Sequence, residues 1–177
     1  MSKLPRVSEC PASAALPQVE GTDSEYVRVG REFHEFARRC QEFGRADALA
    51  RVPEDMRYFC ESVPETLAYD GAGTEIFCEV AVMLDLKLDK AAVIGYNIGR
   101  QYPRAESYQI MGSADLVIVE ADRVVVVDYK TGNGYVPSPE KNWQMRALAY
   151  ALCKIHDKGR ALCRIVRVSE DGTVQWI

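Results

Sequence analysis

Between residues 109 and 130 this chain reads as two strands joined by very little. Residues 109–119 and 123–129 are dense in valine and isoleucine and free of proline, and only the polar break Glu120-Ala121-Asp122 separates them. That pattern predicts an antiparallel hairpin. The second strand carries four consecutive valines, 124–127, and ends in Asp128-Tyr129-Lys130. Side chains two apart in a strand share a face, so Asp128 and Lys130 project together while Tyr129 points away. Asp115 opens the first strand, thirteen residues before Asp128. Burying an unpaired charge is costly, so acidic and basic residues at the end of so apolar a run call for an explanation. Taken alone, Asp128 and Lys130 fit equally well as the solvated end of a strand or as a structural ion pair.

The rest of the chain supplies elements to cover that hairpin. Residues 8–17, punctuated by two prolines, have room for a short helix at most. Asp23 or Ser24 can cap a long helix with Val29, Phe33, Phe36 and Cys40 on one face, stopped by Gly44. A shorter helix follows Pro53, with Met56, Phe59, Cys60 and Val63 on its apolar side. Residues 76–86 are strand formers without proline or glycine, and 95–106, with two glycines and a proline, read as a loop. Ser138 and Pro139 open a second long helix reaching about His156 that buries Leu148, Ala151, Leu152 and Ile155. Residues 161–168 and 173–177 close the chain as strands. This order predicts one domain over residues 1–177, α/β or α+β, with a mixed sheet flanked by helices.

Asp115 and Asp128 converging at strand ends would make a hard oxygen site suited to Mg²⁺, which keeps several waters and accepts phosphate oxygens. Lys130 beside it would orient a water or stabilise the transition state. Here the pattern becomes specific. Gly112-x-x-Asp115, a strand, a hairpin and Asp128-Tyr129-Lys130-Thr131-Gly132 resemble the active-site core of the RecB-like PD-(D/E)XK nucleases, a family that includes phage exonucleases and CRISPR-associated single-domain exonucleases. The resemblance implies a restriction-endonuclease-like core and a Mg²⁺- or Mn²⁺-dependent nuclease.

Three flanking segments extend the likeness. Gly30-Arg31-Glu32-Phe33-His34 resembles the family's Gly-x-x-x-His motif, which implies His34 as a metal ligand with Asp115 and Asp128. The helix Trp143-Gln144 to Leu152 resembles the Gln-x-x-x-Tyr segment, which implies that Gln144 positions the strand. Leu148 stands where tyrosine is expected, and Tyr150, six residues beyond Gln144, lies on the opposite side of the helix and is a further candidate better suited to packing. Ser8-Glu9-Cys10-Pro11 is like the Cys-Pro opening of many relatives, but only Cys153 and Cys163 follow the Gln144 helix, so the cysteine set of iron–sulfur relatives is incomplete and no cluster is expected. Glu79, mid-strand between Cys78 and Val80, is a possible additional ligand, since some relatives place an acid there; simple alternation would also leave it facing outward.

The resemblance implies a deoxyribonuclease, in particular an exonuclease on DNA ends or single strands, with a helicase or a recombination, CRISPR or phage protein as a possible partner. The rivals are a DNA-binding or assembly module that kept the fold without cleaving, and a small-molecule phosphohydrolase, for which no distinctive phosphate loop is present. A formal net charge of −4 gives no global attraction for a polyanion, so contact must come from local cations or metal ions. Arg28, Arg31, Arg38 and Arg39 on the His34 helix, Lys141 and Arg146 beside Gln144, and Tyr96, Tyr102 and Arg104 in the long loop are the candidates. Six scattered cysteines without a CxxC pair read as buried reduced thiols, and no apolar stretch reaches the length of a signal peptide or membrane span, so a cytoplasmic protein without membrane contact is expected.

Overall fold

The computed structural model describes residues 24–64, 74–99, 101–132, 134–169 and 171–177. The expected proline-punctuated segment 8–17 and the Cys10-Pro11 motif lie outside these residues. The described elements are helices α1 (Glu25–Phe43), α2 (Arg45–Arg51), α3 (Glu54–Ser62) and α4 (Trp143–Ile155), and strands β1 (Glu75–Asp85), β2 (Lys90–Tyr96), β3 (Gln109–Val119), β4 (Val124–Thr131), β5 (Ala161–Val168) and β6 (Val174–Trp176). The strands form a mixed sheet in the order β2-β1-β3-β4-β5-β6. Neighbours pair antiparallel except β4 and β5. Those two run parallel: Val124 N–H donates to Arg160 O at the start of both strands, and Gly132 N–H to Val168 O at their ends. A parallel pair needs a crossover, and α4 supplies it.

The chain divides into two compact units. The first holds β1, β2, β3, most of β4 and Pro137–Arg164. Its core is the valine run 124–127 together with Val80, Val82, Leu116, Val117 and Ile118, onto which α4 lays Met145, Leu148, Ala151 and Leu152, each 0% exposed. The helix starts later than the sequence suggests. Ser138 precedes a single 3-10 turn, Pro139–Lys141, and Asn142 then caps α4 by accepting from the N–H groups of Gln144 (3.0 Å) and Met145 (3.3 Å). An Asn side chain is the better fit there because it satisfies two orphan donors at once.

Strand β2 is absent from the sequence reading, its two alanines and one glycine being poor strand formers. What makes it a strand is pairing with β1 through a turn in which Asp85 accepts from the N–H groups of Lys87 (3.0 Å) and Leu88 (2.8 Å).

The second unit contains α1, α2, α3, Tyr129–Val136 and Ile165–Ile177. Helix α1 lies between Ser24 and Gly44 as expected, although the Ser24 side chain makes no capping hydrogen bond, and Gly44 turns at φ 85° straight into α2, a helix too short to show periodicity. Phe33 anchors this unit, in contact with the rings of Phe36, Phe59 and Tyr129. The arginines of α1 face carboxylates of their own unit: Arg28 reaches Glu25 (2.6 Å) and Asp55, Arg38 reaches Glu35 (2.6 Å) and Glu42, and Arg39 pairs with Asp47. Cys40 and Cys60 are buried thiols, pushed up by desolvation to about 11 and about 12.

Candidate active site

Three carboxylates stand side by side in the first unit. The β1–β3 register pairs Cys78 with Leu116 and Val80 with Ala114, which sets Glu79 opposite Asp115. The β3–β4 register runs from Val119↔Val124 to Leu116↔Val127, and its next position sets Asp115 beside Asp128. Directly opposed residues in an antiparallel pair share a face. Register thus lines up Glu79, Asp115 and Asp128 across β1, β3 and β4; carboxylate oxygens of Glu79 and Asp115 lie within 4.8 Å of one another, and Asp128, expected as a metal ligand, is not part of that close group. Glu79 and Asp115 are half-buried, while Asp128 is 3% exposed.

Glu79 departs from strand geometry. Its φ is 48°, a left-handed conformation uncommon for a residue with a β-carbon, and its carbonyl accepts from Asn97 N–H at 2.8 Å. Its carboxylate lies on the same side as that of Asp115, the best-marked acid of the sequence. Strained backbone held by its surroundings is a feature of functional sites. Two like charges this close repel unless a cation or proton lies between them, and two hard oxygen donors suit a divalent ion.

In the second unit, His34 Nε2 lies 3.1 Å from the carbonyl oxygen of Tyr129, the residue that follows Asp128 in β4. A carbonyl only accepts, so Nε2 carries the proton and the neutral ring has its lone pair on Nδ1. This is how a metal-ligating histidine is held in its tautomer. The rings of His34 and Tyr129 also meet edge to face, 6.2 Å between centroids, and Tyr129, 4% exposed, packs against Phe33. Gly30 lets α1 come close to β4: a β-carbon there would touch Thr131 Oγ1 at 3.4 Å. Lys130 is half-buried, two residues beyond Asp128 on the same strand.

Gln144 sits half-buried in the first turn of α4. Leu148, where the family motif has tyrosine, is fully buried in the core. Tyr150 is 47% exposed rather than packed, and its hydroxyl donates to Asp89 (2.6 Å), which also pairs with Lys154 (2.7 Å). Polar partners on the outer flank of α4 draw the ring away from the core. That flank borders an open pocket of about 740 Å³, lined by Arg146, Tyr150, Cys153 and Cys163 among others and by none of the three carboxylates.

A family model, the PD-(D/E)XK nuclease superfamily, matches residues 1–175 of the 177. The chain belongs to that superfamily, and the mixed sheet with its helices is the restriction-endonuclease-like arrangement. No curated protein sequence matches it. Among the described residues no helix is long and apolar enough to cross a membrane.

Proposed function

We propose that this chain is a Mg²⁺- or Mn²⁺-dependent deoxyribonuclease of the RecB-like branch, acting as an exonuclease on DNA ends or single strands. The observation that carries the reading is the convergence of Glu79 and Asp115, within 4.8 Å on neighbouring strands, in a chain of a nuclease superfamily. Glu79 and Asp115 are hard oxygen donors whose chemistry suits a divalent ion, with Asp128 as the next carboxylate in register and His34 as the nitrogen donor that the Gly-x-x-x-His resemblance implies. When bound, such an ion neutralises charge on the phosphoryl oxygens and makes water a better nucleophile at neutral pH.

The chain's own groups do the rest. His34, locked by the Tyr129 carbonyl, presents Nδ1; Lys130, sharing a strand face with Asp128, orients the attacking water and meets charge developing on the phosphate. Gln144 at the start of α4 holds the strand being cut. Strands β4 and β5 each run through both units, which supports a single domain over residues 1–177. A cytoplasmic setting and a helicase or recombination, CRISPR or phage partner belong to the same proposal. Purified protein incubated with linear, circular, single- and double-stranded DNA, with and without Mg²⁺ or Mn²⁺, tests it. Degradation of linear DNA that spares closed circles and stops in chelator is the expected result; unimpaired cutting in chelator would refute it.

A further inference from the structure

The β1–β2 hairpin ends in an aromatic group one strand step from Glu79. Phe77 lies two residues before Glu79 in β1, roughly 7 Å along the strand. Its ring makes two near-parallel contacts, with Tyr96 at 6.1 Å and with His156 at 5.9 Å, each at 28°. Tyr96, the last residue of β2, is nevertheless 54% exposed.

The turn that presents Tyr96 is purpose-shaped. Gly95 precedes it where a β-carbon would stand 2.6 Å from Ile98 Cγ2, so no larger residue fits without a shift. Asn97 follows it in the left-handed region at φ 49° and donates its N–H to the carbonyl of Glu79 (2.8 Å). The backbone of Tyr96 is thus tied, through one residue, to the backbone of a carboxylate of the candidate metal site. Tyr102, by contrast, is half-buried and uses its hydroxyl on Ser113 Oγ (3.0 Å), so of the loop tyrosines it is Tyr96 that offers a ring to solvent.

We propose that Tyr96 is a stacking platform for an unpaired nucleobase beside the cleavage site, and hence that the site takes a single strand. The choice of a nucleic acid rests on the nuclease reading above. Phe77, itself in contact with His156, steadies the Tyr96 ring, and the exposure of Tyr96 leaves ring surface on which a base can stack; bases paired in a duplex are already stacked on their neighbours. In the β1–β2 ladder Tyr96 pairs with Val80, the residue after Glu79, so a base stacked there lies next to the segment of β1 that carries this carboxylate.

The test uses a single-stranded oligodeoxynucleotide carrying 2-aminopurine at successive positions, titrated with Ca²⁺ in place of Mg²⁺ so that binding is supported with little cutting. Wild type and Tyr96→Phe are expected to change the fluorescence at one position, with dissociation constants within about twofold of each other, while Tyr96→Ala loses that change and binds about tenfold more weakly. Thermal unfolding alongside shows that each variant is folded. The proposal is overturned if folded Tyr96→Ala binds within twofold of wild type and keeps the fluorescence change. It is overturned equally if Tyr96→Phe weakens binding as much as alanine does, or if a blunt duplex depends on Tyr96 as strongly as the single strand. Because the readout is binding, failure of the nuclease reading, seen as no cleavage of any DNA with any divalent ion, is scored separately.

Discussion

In the proposed mechanism the acids and Lys130 have different parts, and single substitutions separate them. Asp115→Asn keeps size and hydrogen-bonding shape but removes the charge that, in the proposed site, would share a cation with Glu79. Cleavage is expected to fall at least about a hundredfold, with weaker Mn²⁺ binding by calorimetry. Lys130→Ala should cost as much in rate and leave metal binding equal or tighter, since it removes a positive charge near the ion. If Lys130→Ala cuts at the wild-type rate, the role given to this lysine is wrong. Glu79 was the faintest of the acids in the sequence, because a lone glutamate in a strand alternates outward as readily as inward. Only its partner across the ladder, Asp115, and its left-handed φ mark it out. Position 148 teaches the reverse. The leucine there is fully buried, so Leu148→Tyr should lower stability by about 1–3 kcal/mol through overpacking, measured by denaturant unfolding, rather than restore a family contact.

At the level of elements, turns and caps decide where strands and helices begin. Gly172 ends the short connection to β6 at φ 80°, and a β-carbon there would fall 1.9 Å from Ser62 Oγ at the end of α3. Gly172→Ala therefore meets both a strained backbone and a clash, and a loss of about 2–3 kcal/mol in chemical denaturation is expected. Asp85 plays the corresponding part between β1 and β2. The Leu88 N–H, then Gln109 and the Lys87 N–H, hold its carboxyl below the usual range. A depressed folded pKa stabilises above the unfolded value and is lost as pH falls through the folded one. Asp85→Asn should therefore be less stable than wild type at pH 7, with the difference between their unfolding curves shrinking as pH falls below about 4. Strand β2 was missed for the same reason that Asp85 matters: its residues have weak preferences of their own, and a turn supplies the pairing.

For the molecule as a whole, a net charge of −4 leaves binding of a polyanion to local devices. Three of the four arginines that the sequence offered for phosphate contact, Arg28, Arg38 and Arg39, are engaged by carboxylates, so in the proposed function a bound metal ion would carry more of the task. Ca²⁺ in place of Mg²⁺ should accordingly support DNA binding with little turnover, its looser coordination misplacing the water; a gel-shift and a cleavage assay on one preparation check this.

What the sequence by itself determined is the set of features written in local patterns. The β3–β4 hairpin follows from its valines and short polar break, α1 from its caps and apolar stripe, and the Asp115, Asp128, Lys130 core from strand alternation and motif spacing. Those signals are carried by neighbours a few residues apart. Tertiary structure decided the rest. The opposition of Glu79 to Asp115 depends on a register between strands 36 positions apart in the chain. The hold of Tyr129 on His34 joins residues 95 apart. The outward, Asp89-bound pose of Tyr150 depends on a turn 61 positions away. Register and packing are set by burial summed over many residues, and no short pattern records them.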